Sequence, residues 1–372
     1  MMETKPPYRV VVWGPGIVGT ALIREILKKD ELELVGVLAY SPSKDGRDAG
    51  ELVGMRSAGV TATTDQEMIV GLDADVVLFC PNVSTPCDLD AEATNMICRL
   101  LEAGKNVVTP IGYWYPAYQG QAYVDKLEAA CHKGGTSIHS TGVNPGWLNE
   151  RIVVGLTGAC TSISSIKVQE FNNNAKIESL DMMQAIGYGL PEGSKPWIEN
   201  VGDRGYGETV ALTCHLLGVT IDRIKSEKSY IIAPRDYELK ALTVPKGTIA
   251  GLVYKYIAIV DNKPFFTLEE IWYIDPATCP EPIEGDNGDF YSITIEGAPV
   301  SVRAKFELMA SAVDNLRFRE GDNTLPAYYA TAVPLIQAIP IVCGAEAGIV
   351  YPYTFAHFVP DLRDFTSPLI SA

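Results

Sequence analysis

Up to about residue 160, short continuous apolar runs alternate with longer segments whose apolar residues recur at helical spacing. The first kind suits strands and the second suits amphipathic helices, and their alternation predicts a parallel α/β sheet. "YRVVVWG" reads as a strand, and "IVGTALIREILKK" as a helix whose terminal lysines suit its C-terminal dipole. "LELVGVLAY", "GVTAT", "ADVVLFC", "NVVTP" and "TSIHS" continue the strands. "DAEATNMICRLLEAGK" and "YVDKLEAACHKG" fall between them as helices, and "NPGWLNERIVVGL" opens another.

After Cys160 the pattern changes. "SISSIKVQEF", "GLVYKYIAIV", "FFTLEEIWYI", "DFYSITIEG" and "VSVRAKFEL" alternate apolar with polar or read as buried strand, and turn signals such as "DN" and "EGAP" separate them. This predicts a largely antiparallel sheet, with "ESLDMMQAIGYGL" and "ETVALTCHLLGV" as accompanying helices. The stretch "PEGSKPWIENVGDRGYGE" reads either as a lid or as an exposed connection. The tail "YYATAVPLIQAIPIVCGAEAGI" predicts a proline-interrupted apolar helix returning to the first domain. The expected fold class is therefore α/β. A doubly wound Rossmann sheet spans residues 1–158 and is completed by 325–372, and a mixed α+β domain spans 159–324.

Composition narrows the function. A chain of 372 residues that is 47% hydrophobic can bury two cores. Its net charge of −16 argues against nucleic acid and against an anionic membrane surface as partners. No continuous apolar run reaches the roughly 20 residues of a membrane span, and "MMETKPPYRV" lacks a signal peptide's apolar core, so the cytoplasm is the expected location. The eight cysteines form no CxxC pair, and the four histidines no HExxH, so neither disulfides nor a metal are expected.

Gly14, Gly16 and Gly19 form GxGxxG between the first strand and its helix, the context a dinucleotide fingerprint requires. Gly14 permits a tight turn, Gly16 lets backbone approach a pyrophosphate, and Gly19 lets the helix sit close. With Pro15, Ile17 and Val18 they would present the helix N-terminus to the phosphates. At the end of the second strand, an NAD enzyme usually carries a carboxylate for the ribose 2′-hydroxyl. Here Tyr40 and Ser41 occupy that place, with Lys44 and Arg47 behind them. Hydroxyls and two cations favour the 2′-phosphate of NADP. Asp45 and Asp48 keep NAD possible, since either can bend back toward the ribose.

In doubly wound sheets ligands lie beyond the carboxyl ends of the strands. That rule gathers "CPNVST", "TPIGYWYP" and "HSTGVNPGW" beside the glycine loop. Asn82, Thr109, Pro110, Thr141, Asn144 and Pro145 are expected to line the nicotinamide side, Pro81 to contact the cofactor, and Tyr113, Trp114 and Tyr115 to wall the substrate. Each also has a structural reading, as a turn former, cap or packing residue.

"GPGIVGTALIREIL", "YSPSKDGRDAGELVG", "STGVNPGW" and "ATAVPLIQAIPIVCGAEAGI" together resemble the dihydrodipicolinate reductase-like family, in the branch of 2,4-diaminopentanoate dehydrogenase and the native amine dehydrogenases. The resemblance implies an NAD(P)-dependent homodimer that transfers hydride at a carbon–nitrogen bond. Two departures stand out. The His-His pair and following Lys of true dihydrodipicolinate reductases are missing. The acid that amine dehydrogenases of the branch carry after strand five would fall near Pro110–Gly112, where this chain has Pro-Ile-Gly. Glu170 is the candidate substitute, since a carboxylate against aromatic walls has a raised pKa suited to acid/base work. Its alternative is an ordinary ion-paired Glu. His139 is a possible proton relay or a satisfied core histidine, Tyr113 a proton donor or a wall, and Asn144 a further catalytic candidate. Two other functions fit the scaffold: a hydroxy/carbonyl dehydrogenase, and a non-catalytic NADP(H) sensor.

Overall fold

Strand β1 (Tyr8–Trp13) is apolar on both faces, and it lies in the middle of a sheet that is covered on both faces. A computed structural model of the chain describes residues 5–82, 85–281, 283, 289–309 and 326–363. It divides into two units, Met1–Leu148 with Met309–Pro352, and Asn149–Leu308 with Tyr353–Ala372. Val83 and Ser84 of "CPNVST", and the expected domain boundary at 324/325, lie outside the described residues.

In the first unit, β1, β2 (Leu32–Leu38), β3 (Ala62–Thr63), β4 (Val76–Phe79), β5 (Asn106–Thr109) and β6 (Ser137–Ser140) form a parallel sheet in the order β6-β5-β4-β1-β2-β3. The short strand Gly348–Ile349 extends the β6 edge. This is the doubly wound dinucleotide-binding order. Side-chain alternation splits β1 between two cores. Val10 and Val12 pack with helix Ile17–Ile26 and helix Pro326–Gly344. Val11 and Trp13 pack with helices Glu92–Glu102 and Gln121–Gly134. Burying each such valine is worth about 1.5–3 kcal/mol relative to leaving it in water.

Helix Pro326–Gly344 is long and apolar enough to cross a bilayer, although polar residues interrupt its apolar stretches. It serves instead as a core helix, with Ala332, Leu335, Ala338, Ile339 and Val342 buried against the sheet. Pro334 and Pro340 lie inside it.

Asp48 fixes the loop after β2. Its carboxylate caps helix Ala49–Val53 by accepting from Gly50 N and Glu51 N, and it also accepts from Ser57 Oγ, Ala58 N and Gly59 N. These bonds, led by that from Ala58, lower its pKa to about 2. A lowered pKa stabilises the fold above the unfolded value of about 3.9 and loses that contribution as pH falls toward the folded value. Asp48→Ala should therefore cost ~1 kcal/mol at neutral pH, as lost N-caps do. Urea unfolding should show that difference shrinking between about pH 4 and pH 2.

The second unit is a six-stranded sheet. Its strands are β7 (Ser162–Asn173), β8 (Arg223–Ile232), β11 (Ile249–Val260), β12 (Lys263–Tyr273), β13 (Phe290–Ala298) and β14 (Val302–Phe306), with a small hairpin of β9 (Tyr237–Glu238) and β10 (Thr243–Val244) beside it. The order is β14-β13-β7-β12-β11-β8, antiparallel throughout except for the parallel pair β7–β12. Residues Ile198–Leu216 of the expected lid and its neighbour form one helix packed on β11 and β12. Gly202 explains its tolerance of glycine, because a Cβ there would fall 2.5 Å from the Tyr256 hydroxyl.

Candidate active site

In the first unit the glycine loop is built by contact. Gly14 has φ +94°, a left-handed value, and a Cβ on it would lie 2.3 Å from the Cys80 carbonyl oxygen and 3.3 Å from Pro81 Cα. A Cβ on Gly19 would lie 2.1 Å from the Gly14 carbonyl oxygen, so the helix rests directly on the turn. Gly16 differs, since a Cβ there would meet nothing within 4 Å. Room at Gly16, ahead of a helix whose N-terminus no side chain caps, is what an approaching pyrophosphate requires. Pro15 is buried, while Gly16 and Ile17 are exposed and Val18 half-buried.

Lys44 donates to the Pro15 carbonyl at 2.6 Å, which brings an ammonium to the glycine loop. Burial, and then the charge of Arg47, lower its pKa, so the two cations lie close enough to repel. Asp45 accepts from the backbone N–H and hydroxyl of Thr64, and Asp48 is held as described. Neither carboxylate bends back over the glycine loop. Ser41 pairs with Ser43 at 2.7 Å, and Tyr40 accepts from Trp13 Nε1 at 2.8 Å. Asn82 is exposed beyond β4 and accepts from Thr85 N through its carbonyl.

The loops after β5 and β6 differ from their expected roles. Thr109 is fully buried, and its hydroxyl donates to the Phe79 carbonyl at 2.7 Å, bracing one strand to the next. Tyr113 is only 2% exposed, in a left-handed conformation with φ +60°. Its hydroxyl bonds Thr94 at 2.9 Å and its ring stacks on Tyr123, so it packs the core instead of walling a substrate. Trp114 is buried and Tyr115 half-buried against Tyr351. His139 is buried with Nδ1 2.9 Å from the Val350 carbonyl, which ties β6 to the strand Gly348–Ile349. Thr141 is fully buried; Asn144 and Pro145 are half-buried. The Asn-Pro-Gly turn closes on itself through Trp147 N to Gly142 O at 2.8 Å, so that N–H is not offered to a ligand.

The second unit carries the other polar assembly. Glu170 on β7 is 7% exposed and stands opposite Glu270 on β12, which is fully buried, and opposite Tyr291 on β13. Tyr206, on helix Ile198–Leu216, joins them. Burial first, and then the charges of Glu270 and Glu170, hold its phenol well above the usual range. Tyr291 is raised by burial and then by Glu170 and Glu270. Tyr256, stacked on Tyr206 at 5.2 Å, buries a hydroxyl that makes no hydrogen bond, and Trp272 does the same with its indole N–H. A buried donor left unbonded costs about 1–3 kcal/mol, and these two stand within two rows of Glu270 on one sheet face. Sequence reasoning missed Glu270 because "LEEIWY" does not say which of two adjacent glutamates faces which side. Its neighbour Glu269 faces the opposite side and is paired with Lys167 and Lys255.

A doubly wound sheet with an open glycine loop, joined to a mixed-sheet domain with a buried acid, defines an NAD(P)-dependent oxidoreductase. Residues 8–84 match the model for the dihydrodipicolinate reductase N-terminus, and residues 147–313 the 2,4-diaminopentanoate dehydrogenase C-terminal domain. The amine dehydrogenase of Streptomyces virginiae is 30% identical over 351 residues, covering 91% of this chain and 93% of that protein. The 2,4-diaminopentanoate dehydrogenase of Acetoanaerobium sticklandii is 26% identical over 307 residues, covering 78% and 81%. The solved amine dehydrogenase of Mycobacterium smegmatis has the same fold, with TM-score 0.73 at 21% identity, over 92% of this chain and 94% of that one. The chain belongs to the dihydrodipicolinate reductase-like family of NAD(P)-dependent oxidoreductases, in the branch of 2,4-diaminopentanoate dehydrogenase and the amine dehydrogenases.

Proposed function

We propose that this enzyme is an NADP-preferring dehydrogenase that works at the carbon–nitrogen centre of a small, partly apolar amine or imine, as a homodimer. The observation that carries the cofactor preference is Lys44 seated on the Pro15 carbonyl beside Arg47, with Asp45 and Asp48 both held by the backbone. Two cations without a competing carboxylate suit a 2′-phosphate. The substrate class is supported by the names of the relatives, an amine dehydrogenase and a diaminopentanoate dehydrogenase.

When bound, the nicotinamide takes hydride from, or gives it to, the carbon that bears nitrogen. The chain's own residues have to manage the protons. An ammonium substrate must lose one proton before its nitrogen lone pair can become the second bond of a C=N group, and Glu170 takes that proton. In the opposite direction the same carboxylic acid returns it. Glu170 thus replaces the family acid that Pro110–Gly112 does not supply.

The test is turnover by the purified enzyme, followed by absorbance of the reduced cofactor. Small ketones and cyclic imines with ammonium should consume NADPH, and the corresponding amines should reduce NADP. NADPH binding without turnover across these classes would overturn the amine reading. Arg47→Ala should raise the KM for NADPH about 10-fold while leaving that for NADH unchanged, because one charge-assisted hydrogen bond is worth about 1.5–3 kcal/mol. A wild-type enzyme that prefers NADH would contradict the cofactor assignment.

A further inference from the structure

We propose that Tyr40 is the adenine platform of this enzyme, a ring held open to solvent on which the base of the dinucleotide stacks. The proposal rests on the dinucleotide reading of the first unit and gives its adenosine half a seat. A surface tyrosine ordinarily keeps its ring against the protein and its hydroxyl in water. Tyr40 does the reverse. Its hydroxyl turns inward and accepts at 2.8 Å from Nε1 of Trp13, a residue only 1% exposed. Yet Tyr40 as a whole is 56% exposed. Burial, opposed by the bond from Trp13, raises the pKa of the phenol, as befits an oxygen turned away from water.

The strands beneath set the place of this ring. Trp13 ends β1 and is the register partner of Leu38, which ends β2. The Leu38 carbonyl accepts from Gly14 N at 2.9 Å, and Ala39 N donates to the Thr63 carbonyl at 2.8 Å. Tyr40 therefore leaves the carboxyl end of β2 directly after backbone that is fixed on both sides, beside the glycine loop. Glu92, in the first turn of the helix after β4, is near enough to raise the Tyr40 pKa further. Four residues beyond Tyr40, Lys44 reaches the Pro15 carbonyl. Adenine is bonded to C1′ of its ribose, next to the carbon that carries the 2′-phosphate. A phosphate held by Lys44 and Arg47 brings the base to the end of β2, where the Tyr40 ring stands open.

Stacking on an aromatic ring needs only the π face of the base and reads no hydrogen-bond pattern. A free surface tyrosine loses rotamer freedom when a base settles on it. The bond from Trp13 has removed that freedom beforehand, which favours binding. Trp13 is thus a positioning residue, and Tyr40 is the residue that meets the base. Its share of the affinity is common to NADPH and NADH, whereas Lys44 and Arg47 distinguish them.

Two variants isolate the ring. Tyr40→Leu and Tyr40→Phe both take the acceptor from Trp13, so their Tm should fall alike, by a few degrees. Only Tyr40→Leu loses the π face. Fluorescence titration of Tyr40→Leu should give dissociation constants for NADPH and NADH that are both about 10-fold above wild type. In Tyr40→Phe both should rise only about threefold, since the ring remains but is no longer held. AMP, which has the base without the nicotinamide, should displace NADPH from the wild type, and Tyr40→Leu should weaken AMP by about the same 10-fold. Dissociation constants in Tyr40→Leu within about twofold of wild type would remove Tyr40 from the base. A loss confined to NADPH would do so too, by placing the ring at the 2′-phosphate. Equal losses in Tyr40→Phe and Tyr40→Leu would also overturn the platform, because the ring face would then contribute nothing. If the wild type binds neither nucleotide, the dinucleotide reading itself fails.

Discussion

Glu170→Gln should lower kcat for amine oxidation and for ketone amination by roughly 10²–10⁴-fold, the usual contribution of a positioned acid or base. The amide matches the carboxylate in size, so the buried row Tyr291–Glu170–Glu270 can keep its packing. An amide can bond a substrate N–H, but it cannot accept the proton that must leave the nitrogen. Substrate KM should therefore change less than kcat, which marks an interaction made chiefly in the transition state. NADPH affinity should be unaffected, because the nucleotide contacts proposed above belong to the first unit. Steady-state kinetics in both directions, with NADPH titration and near-UV circular dichroism as controls, make the comparison. A kcat within threefold of wild type would remove Glu170 from proton transfer and leave the fold assignment untouched.

What the sequence discloses depends on how local the signal is. The parallel sheet of the first unit was legible because strands buried on both faces leave continuous apolar runs, such as "VVVW". The glycine loop was legible because each glycine answers a short-range backbone demand. Strand β8 was not foreseen, since it is an edge strand with mostly exposed or half-exposed residues and therefore has little apolar alternation. Helix Ile198–Leu216 was hidden by Gly202, Gly205 and Gly207, which lower helix propensity. What offsets that cost at Gly202 is contact with Tyr256, far along the chain. Tyr113 misled for the same reason. Three aromatics after a strand suggested a wall, but partners at Thr94 and Tyr123 draw the first of them inward. The direction of Asp45 and Asp48 is likewise a tertiary fact, settled by the backbone N–H groups that each one meets.

Gly16→Ala and Gly19→Ala should separate binding from folding within one motif. Gly19 supports the helix on the turn, and a methyl placed 2.1 Å from the Gly14 carbonyl oxygen must push backbone against backbone. Overpacking of this kind costs about 1–3 kcal/mol, so Tm should drop by several degrees. The displaced helix N-terminus should lower NADPH affinity about 100-fold as well. Gly16 has φ −80°, open to any residue, and its methyl would meet nothing within 4 Å among the described residues beyond its chain neighbours. Gly16→Ala should therefore leave Tm within about a degree of wild type. It should still weaken NADPH binding at least 10-fold, since the methyl stands where the pyrophosphate must approach. Thermal unfolding and fluorescence titration of the two variants give the comparison. Unchanged NADPH affinity in Gly16→Ala would show that the nucleotide does not cross this loop. The dinucleotide assignment of the first unit would then have to be abandoned, because among the described residues none stands where a Gly16 Cβ would go and so none explains the glycine.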